Sequence, residues 1–187
     1  MARAIGYAGV THLGLNSAAA AAEKGFNVVC FDTDRERVAQ LSRGQLPVLE
    51  PQLPELLAKN RARIKFTAER ADLASCDVLY IAPDVPTDDN GQSDLGPIDT
   101  LIDEMNAALR SDAVMVILSQ VPPGFTRGRA RPGRLLHYQV ETLIFGCAVE
   151  RALYPERFIV GCADPKQPLP AAFAEFLESF GCPILPM

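Results

Sequence analysis

The sequence predicts an α/β fold, a doubly wound and mostly parallel sheet with helices packed on its faces. Three observations carry this prediction. Short apolar runs alternate with helical patterns along the chain, a glycine-containing turn joins the first run to the first helix, and the second run ends on an acidic residue. With 187 residues, of which 48% are hydrophobic, the chain is long enough to bury a core, and we expect residues 1–187 to form one domain.

The first strand-helix-strand unit is the most regular part of the chain. Residues 4–8 predict a strand, residues 15–24 a helix that ends before Gly25, and residues 28–31 a second strand that leads into Asp32. Further strands are expected at residues 64–67, 77–82, 113–118, 135–138, 157–161 and 183–185. Further helices are expected at residues 35–43, 53–59, 98–109 and 169–180. This alternation favours parallel pairing with right-handed crossovers.

The turn at residues 9–14 reads Gly-Val-Thr-His-Leu-Gly. Gly9 and Gly14 stand at the first and last glycine positions of the G-x-G-x-x-G fingerprint of Rossmann-like dinucleotide-binding units, and Thr11 stands at the middle one. A side chain at the middle position lies where the backbone should approach a pyrophosphate, so we expect weak binding. His12 and Leu13 complete the candidate phosphate loop. The imidazole either assists the pyrophosphate or packs at the start of the helix.

Asp32 lies 23 residues after Gly9, close to the spacing of about 20 that this fingerprint requires. A carboxylate at the end of the second strand is placed to accept the ribose hydroxyls of an adenosine. It would also repel a 2′-phosphate, so the sequence predicts NAD in preference to NADP. Arg37 either lies along the adenosine or belongs to a solvated helix face.

Composition argues against several other functions. The net charge of −5 disfavours nucleic acid as a partner, and the arginines of the segment at residues 122–134 are more typical of a solvated loop than of a polyanion site. No apolar run approaches the roughly 20 residues that span a membrane, and no signal peptide precedes the first strand. We therefore expect a cytoplasmic protein.

The spacing of Asp88, Asp89 and Asp94 does not match a calcium loop, and the five cysteines lack metal-site spacing, so no metal site is expected.

Three further stretches carry a family resemblance. Residues 44–51 read Gly-Gln-Leu-Pro-Val-Leu-Glu-Pro, residues 86–95 read Pro-Thr-Asp-Asp-Asn-Gly-Gln-Ser-Asp-Leu, and residues 119–126 read Ser-Gln-Val-Pro-Pro-Gly-Phe-Thr. Together with residues 9–34 and 141–161 they resemble the N-terminal NAD-binding domain of the nucleotide-sugar dehydrogenases, the UDP-glucose and GDP-mannose 6-dehydrogenase family. The resemblance covers nearly the whole chain.

The resemblance implies NAD as cofactor. It also implies oxidation of the C6 alcohol of a UDP- or GDP-sugar to a carboxylate, through a cysteine-bound thiohemiacetal, with the sugar nucleotide held by a C-terminal domain beyond a long central helix. Residues 1–187 contain neither that domain nor the family's glycine-rich cysteine motif. We therefore expect this chain not to be catalytic by itself, and the sequence leaves its oligomeric state open.

The chain departs from the family pattern at candidate catalytic positions. Gln120 replaces a threonine that the resemblance places at the reacting centre, and Glu141 matches the first glutamate of the family's Pro-Glu-Phe-Leu-Arg-Glu-Gly stretch. Phe145 replaces the second glutamate, to which the resemblance assigns acid-base duty, and phenylalanine cannot move protons. Asp84 and Val85 stand where the family's Gly-Thr-Pro turn faces the cofactor.

Two other readings stay open at this point. The first is a degenerate, non-catalytic module that binds a nucleotide or a protein partner on the same scaffold. A continuation of the gene beyond residue 187 into a glycine-rich cysteine motif would favour the enzyme over this module. The second is a stand-alone reductase, for which the sequence lacks a Tyr-x-x-x-Lys pair.

Overall fold

The computed structural model describes residues 3–86 and 88–187, so Met1, Ala2 and Thr87, the last in the stretch at 86–95 that carries the family resemblance, lie outside the described residues. Within them, eight strands form one sheet in the order β3-β2-β1-β4-β5-β6-β7-β8. The strands are β1 (Ala4–Ala8), β2 (Asn27–Phe31), β3 (Ile64–Thr67), β4 (Val78–Ile81), β5 (Val114–Ile117), β6 (Leu135–Gln139), β7 (Phe158–Gly161) and β8 (Ile184–Pro186). The helices are α1 (His12–Glu23), α2 (Arg35–Ser42), α3 (Leu53–Lys59), α4 (Gly96–Ala108), α5 (Phe125–Gly128), α6 (Ala148–Leu153) and α7 (Ala171–Glu178).

The sheet confirms the predicted α/β, doubly wound and mostly parallel fold. Strands β1 to β6 pair in parallel, β7 pairs antiparallel with β6, and β8 runs parallel to β7. Strand β1 lies between β2 and β4, so the chain changes direction across the sheet at this point. In such sheets a crevice opens beside the carboxyl ends of the strands at the point of reversal, and ligands bind there.

Two apolar layers enclose the sheet. One contains the alanine-rich face of α1 with Phe173 and Phe176 of α7, and the other contains Ile98 and Ile102 of α4. The central strands are buried on both faces, which explains why they read as continuous apolar runs rather than as alternating patterns. No helix in the described part of the chain is both long and apolar enough to cross a membrane.

Helix α1 begins earlier than the sequence pattern predicts. It starts at His12 rather than at residue 15, so Gly14 lies inside the first turn. The predicted end is confirmed, because Lys24 caps the helix and Gly25 follows with φ +97°. The early start is possible because a carboxylate from another segment binds the first free N–H groups of the helix, as described below.

The arginine-rich segment after β5 is not simply a solvated loop. It contains the single-turn helix α5, and its arginines bind side chains of α4. Three of its arginines contact side chains spaced about one helical turn apart on α4: Arg129 with Asp99, Arg131 with Asp103, and Arg134 with Asn106. These contacts attach a segment with little regular secondary structure to the sheet scaffold.

Candidate functional site

The turn between β1 and α1 packs tightly, both against the segment that follows β4 and within itself. Gly9 has φ +93°, and a Cβ atom built on it would lie 2.6 Å from the nitrogen of Pro83. A Cβ atom on Gly14 would lie 2.0 Å from the carbonyl oxygen of Gly9. No side chain fits at either distance, so the two glycines allow the first turn of α1 to pack against the carboxyl ends of β1 and β4.

Thr11, at the middle position of the fingerprint, directs its hydroxyl toward the segment that follows β4. Its Oγ1 atom accepts a hydrogen bond from the backbone N–H of Asp84 at 3.0 Å and lies 3.5 Å from the carbonyl oxygen of Ala82. The hydroxyl makes no capping bond to α1. Through this hydrogen bond Thr11 holds the backbone of the residue that reaches the phosphate loop.

That residue, Asp84, places its carboxylate on the amino end of α1. Its Oδ2 atom accepts the backbone N–H of His12 at 3.1 Å, and its Oδ1 atom accepts the N–H of Leu13 at 3.3 Å. These are the amides that a fingerprint of this kind presents to a pyrophosphate. The neighbouring Val85 is half-buried and lines the adjoining pocket.

Asp32 follows β2 and is almost fully buried at the carboxyl edge of the sheet. Its Oδ2 atom accepts the backbone N–H of Val10 at 3.1 Å and a guanidinium N–H of Arg37 at 2.9 Å, and its Oδ1 atom accepts the N–H of Asp34 at 3.0 Å. Arg37 thus contacts the predicted ribose ligand rather than lying free on the helix face. Both side chains line a cleft to which Thr100 and Leu101 of α4 also contribute.

A second pocket lies on the other side of the α1 amino end. Gln120 donates a side-chain hydrogen bond to Glu141 at 3.2 Å, and Glu141 also accepts the backbone N–H of Leu143. Gln120 follows β5 and Glu141 follows β6, so the two predicted catalytic residues meet at the same sheet edge. Val85 and His12 also line this pocket, and Pro83 lines both it and the cleft at Asp32.

The imidazole of His12 is buried and turned away from the phosphate loop. Its Nε2 atom lies 2.9 Å from Oε2 of Glu50, whose side chain is fully buried. Glu50 also accepts the backbone N–H groups of Gly146 at 3.1 Å and Ala148 at 2.9 Å. Of the two interpretations of His12, the packed one therefore describes the imidazole, while its backbone N–H faces the site.

Burial would by itself raise the pKa of Glu50. The hydrogen bonds from His12, Ala148 and Gly146 outweigh that effect, so the pKa of the Glu50 carboxyl lies below its ordinary value. The ionised carboxylate thus connects α1 to the loop that carries Gly146. The sequence does not predict this role for Glu50, although the residue lies in the Glu-Pro motif at residues 44–51.

Phe145, which stands where the resemblance expects an acid, lies on top of this buried network. Its ring stacks on the imidazole of His12 with the centroids 4.0 Å apart and an angle of 24° between the planes. The other face of Phe145 is exposed and lines the same pocket as Gln120 and Glu141. An apolar ring therefore occupies the position at which a proton-transferring side chain was expected.

The comparisons with known proteins agree on one family. The sequence model described as the UDP-glucose/GDP-mannose dehydrogenase family, NAD binding domain, matches residues 3–179. UDP-glucose 6-dehydrogenase of Pseudomonas aeruginosa is 35% identical over 188 residues, which cover 91% of this chain and 42% of the relative. The enzyme of the same name from Rickettsia typhi is 32% identical over 166 residues, which cover 84% of this chain and 38% of the relative. The chain thus spans about 40% of the length of these curated relatives.

Solved structures show the same fold. A ternary complex of GDP-mannose dehydrogenase from Pseudomonas aeruginosa matches with a TM-score of 0.85 at 24% identity, over 97% of this chain and 45% of that one. A UDP-glucose dehydrogenase from the archaeon Pyrobaculum islandicum matches with a TM-score of 0.85 at 24% identity, over 100% of this chain and 46% of that one. At this level of identity the likeness establishes the architecture alone.

Proposed function

The chain belongs to the UDP-glucose/GDP-mannose dehydrogenase family as its NAD-binding domain, and we propose that residues 1–187 form one domain that holds NAD along the sheet edge from Asp32 to Gln120. The observation that carries this proposal is the common edge itself. The buried carboxylate of Asp32, the close-packed Gly9 turn and the first N–H groups of α1 all lie at the carboxyl ends of parallel strands. Such an edge is where dinucleotides bind in doubly wound sheets.

The residues present fit the adenosine half of NAD. An ionised carboxylate has about four acceptor positions, and the bonds from Val10, Asp34 and Arg37 use three of those of Asp32. One position remains for a ribose hydroxyl without the loss of an existing bond. Because Gly9 has no side chain, its turn packs directly against Pro83, and the N–H group of the next residue, Val10, reaches the Asp32 carboxylate.

Within the whole protein, we propose that this domain serves the oxidation of a sugar C6 alcohol in a UDP- or GDP-sugar held by a further domain. NAD, when bound, supplies the hydride acceptor. Gln120 and Glu141 lie in the pocket next to the α1 amino end, where their polar atoms are placed to orient a hydroxyl or a water molecule. The Leu143 N–H also donates to Glu141 and so restrains its side chain.

The second candidate function is a nucleotide-binding module that has lost catalysis. The observation that favours it is the ring of Phe145, which packs on His12 where the resemblance expects acid-base chemistry.

With UDP-glucose or GDP-mannose and NAD, we expect the 187-residue chain to produce no NADH above background at 340 nm. Steady NADH production that Glu141→Gln abolishes would place an active site within this chain and exclude the module.

The proposed ribose contact predicts a preference for NAD over NADP. A 2′-phosphate beside the Asp32 carboxylate costs on the order of 1 to 4 kcal/mol in like-charge repulsion, which corresponds to a Kd for NADP at least about fivefold higher. Asp32→Asn keeps the shape and one acceptor but removes the charge, so the two Kd values should converge. Calorimetric titration of both cofactors measures the ratio.

Asp34→Asn is the matched control for this test. Asp34 is also an acid at the start of α2, but its carboxylate is exposed and caps the helix through the N–H groups of Glu36 and Arg37. Asparagine caps a helix as well as aspartate does. The control should keep the preference for NAD. Equal Kd values for NAD and NADP in the unmutated protein would remove Asp32 from the role of ribose reader.

A further inference from the structure

The amino end of α1 has an anion supplied by the chain itself. Helix α1 carries no acidic residue in its first turn, and Thr11 at its start makes no side-chain capping bond. The carboxylate of Asp84, from the segment after β4, instead accepts the N–H groups of His12 and Leu13. The partial positive charge of a helix amino end stabilises such an anion, whether it comes from a ligand or from the chain.

The two departures of this chain from the dinucleotide fingerprint are in direct contact. Thr11 replaces the middle glycine, and its hydroxyl accepts the backbone N–H of Asp84 at 3.0 Å. Asp84 replaces the glycine of the family's Gly-Thr-Pro turn, and its carboxylate reaches the α1 amides. A glycine at position 11 would leave the Asp84 N–H without this partner, and a glycine at position 84 would leave the amides open. Both residues are therefore needed to place the Asp84 carboxylate on the α1 amides.

We propose that Asp84 is an internal occupant of the pyrophosphate position, held there by Thr11, so that a dinucleotide binds only after the carboxylate has moved away. This inference rests on the proposed function. The N–H groups of His12 and Leu13 cannot give the same hydrogen bonds to Asp84 and to a phosphate at once. Phosphate oxygens beside the carboxylate would also be repelled by it.

The Asp84 side chain has room to move away from α1. The residue is exposed, and the carboxylate has no hydrogen-bond partner in the described residues other than the two α1 amides. Rotation about its side-chain bonds would return the carboxylate to solvent. In contrast, Asp32 is buried with three donors and keeps its place. The structure thus combines a fixed ribose ligand with a displaceable anion at the pyrophosphate amides.

The test is a calorimetric titration of NAD into the unmutated protein and into Asp84→Asn, Asp84→Gly and Thr11→Gly. In Asp84→Asn, NAD no longer has to displace a charged carboxylate from the α1 amides, so NAD binding should tighten about tenfold. In Asp84→Gly, which has no side chain to displace, binding should tighten by more. Asp88→Asn is the matched control, because Asp88 lies in the same exposed segment and its carboxylate accepts the N–H groups of Asn90 and Gln92 rather than those of α1. The control should change the Kd for NAD by less than about twofold.

A double variant separates the contributions of Thr11 and Asp84 to NAD binding. If Thr11 acts through Asp84, Thr11→Gly should tighten binding in the unmutated background and have little further effect in the Asp84→Gly background, which is the non-additivity expected of residues in contact. Full additivity would mean that Thr11 obstructs the ligand directly and would overturn its holding role. In the absence of ligand, the amide proton resonances of His12 and Leu13 should move in Asp84→Asn and stay in place in Asp88→Asn.

The outcomes distinguish this inference from the function on which it rests. Equal Kd values for NAD in the unmutated protein and in both Asp84 variants would overturn the internal occupant and leave the NAD site intact. No binding of NAD by any variant at millimolar concentration would overturn both. Tighter binding in the Asp84 variants, with the Asp88→Asn control unchanged, would establish that the carboxylate competes with the cofactor.

Discussion

Glu50→Gln should lower the free energy of unfolding by about 2 to 4 kcal/mol, because it leaves buried donors facing an amide N–H₂ group. The Glu50 side chain is fully buried and accepts bonds from His12, Gly146 and Ala148. A glutamine has one acceptor oxygen, so at least one of these donors loses its partner. Urea unfolding followed by circular dichroism measures the change.

The loss of stability in Glu50→Gln should depend on pH. The pKa of Glu50 is lowered from 4.5 in the folded chain, so the stabilisation by its ionised form is fully present above that value and is lost as the pH falls through the folded pKa. The stability difference between the unmutated protein and Glu50→Gln should therefore be largest at neutral pH and should shrink on acidification. A difference that stays constant from pH 7 to pH 3 would contradict the ionised network.

Glu55→Gln serves as its control, because Glu55 is an exposed residue in the first turn of α3. Exposed substitutions of this kind usually change stability by less than about 0.5 kcal/mol. A loss in Glu55→Gln equal to that in Glu50→Gln would mean that the effect is one of net charge rather than of the buried contacts.

Gly14→Ala should lower the free energy of unfolding by about 3 kcal/mol or more, although alanine is the better helix former. Gly14 lies within α1, and its added Cβ atom would lie 2.0 Å from the carbonyl oxygen of Gly9, a backbone atom that cannot rotate away. The first turn of α1 must then shift, and the amides of His12 and Leu13 move with it. We expect a lower unfolding midpoint together with the loss of measurable NAD binding.

Gly128→Ala is the corresponding control within α5. A Cβ atom at Gly128 meets no described atom within 4 Å, and its φ is not in the left-handed region. This substitution should be neutral or slightly stabilising. If Gly14→Ala proved as stable as Gly128→Ala and bound NAD equally well, the close packing of α1 against Gly9 would not be a requirement of the site.

The parts of the fold that local pattern determines were predictable from the sequence. Strands β1, β2 and β4 are buried apolar runs, and the terminator Gly25 marks the end of α1. Helix α6 was missed because its six residues are too few to show a helical period, and no side chain caps it. Its position is determined by tertiary contacts with α1.

The same distinction holds at the site. The spacing of Gly9, Gly14 and Asp32 predicts a dinucleotide edge from the sequence alone, since all three belong to one contiguous unit. The hydrogen bond that the Gly146 N–H donates to Glu50 joins residues 96 positions apart, and no local pattern contains it. The contact of Asp84 with α1 is similarly non-local, although its replacement of a glycine was visible in the motif.

A crystal structure of the protein with NAD tests the central claim most directly, namely that the cofactor lies along the edge from Asp32 to Gln120. We predict density for the adenosine ribose within hydrogen-bond distance of the Asp32 carboxylate and for the pyrophosphate at the N–H groups of His12 and Leu13. The Asp84 side chain should have left those amides. A dinucleotide bound elsewhere, with Asp84 still on α1 at a concentration that saturates binding in solution, would contradict the account.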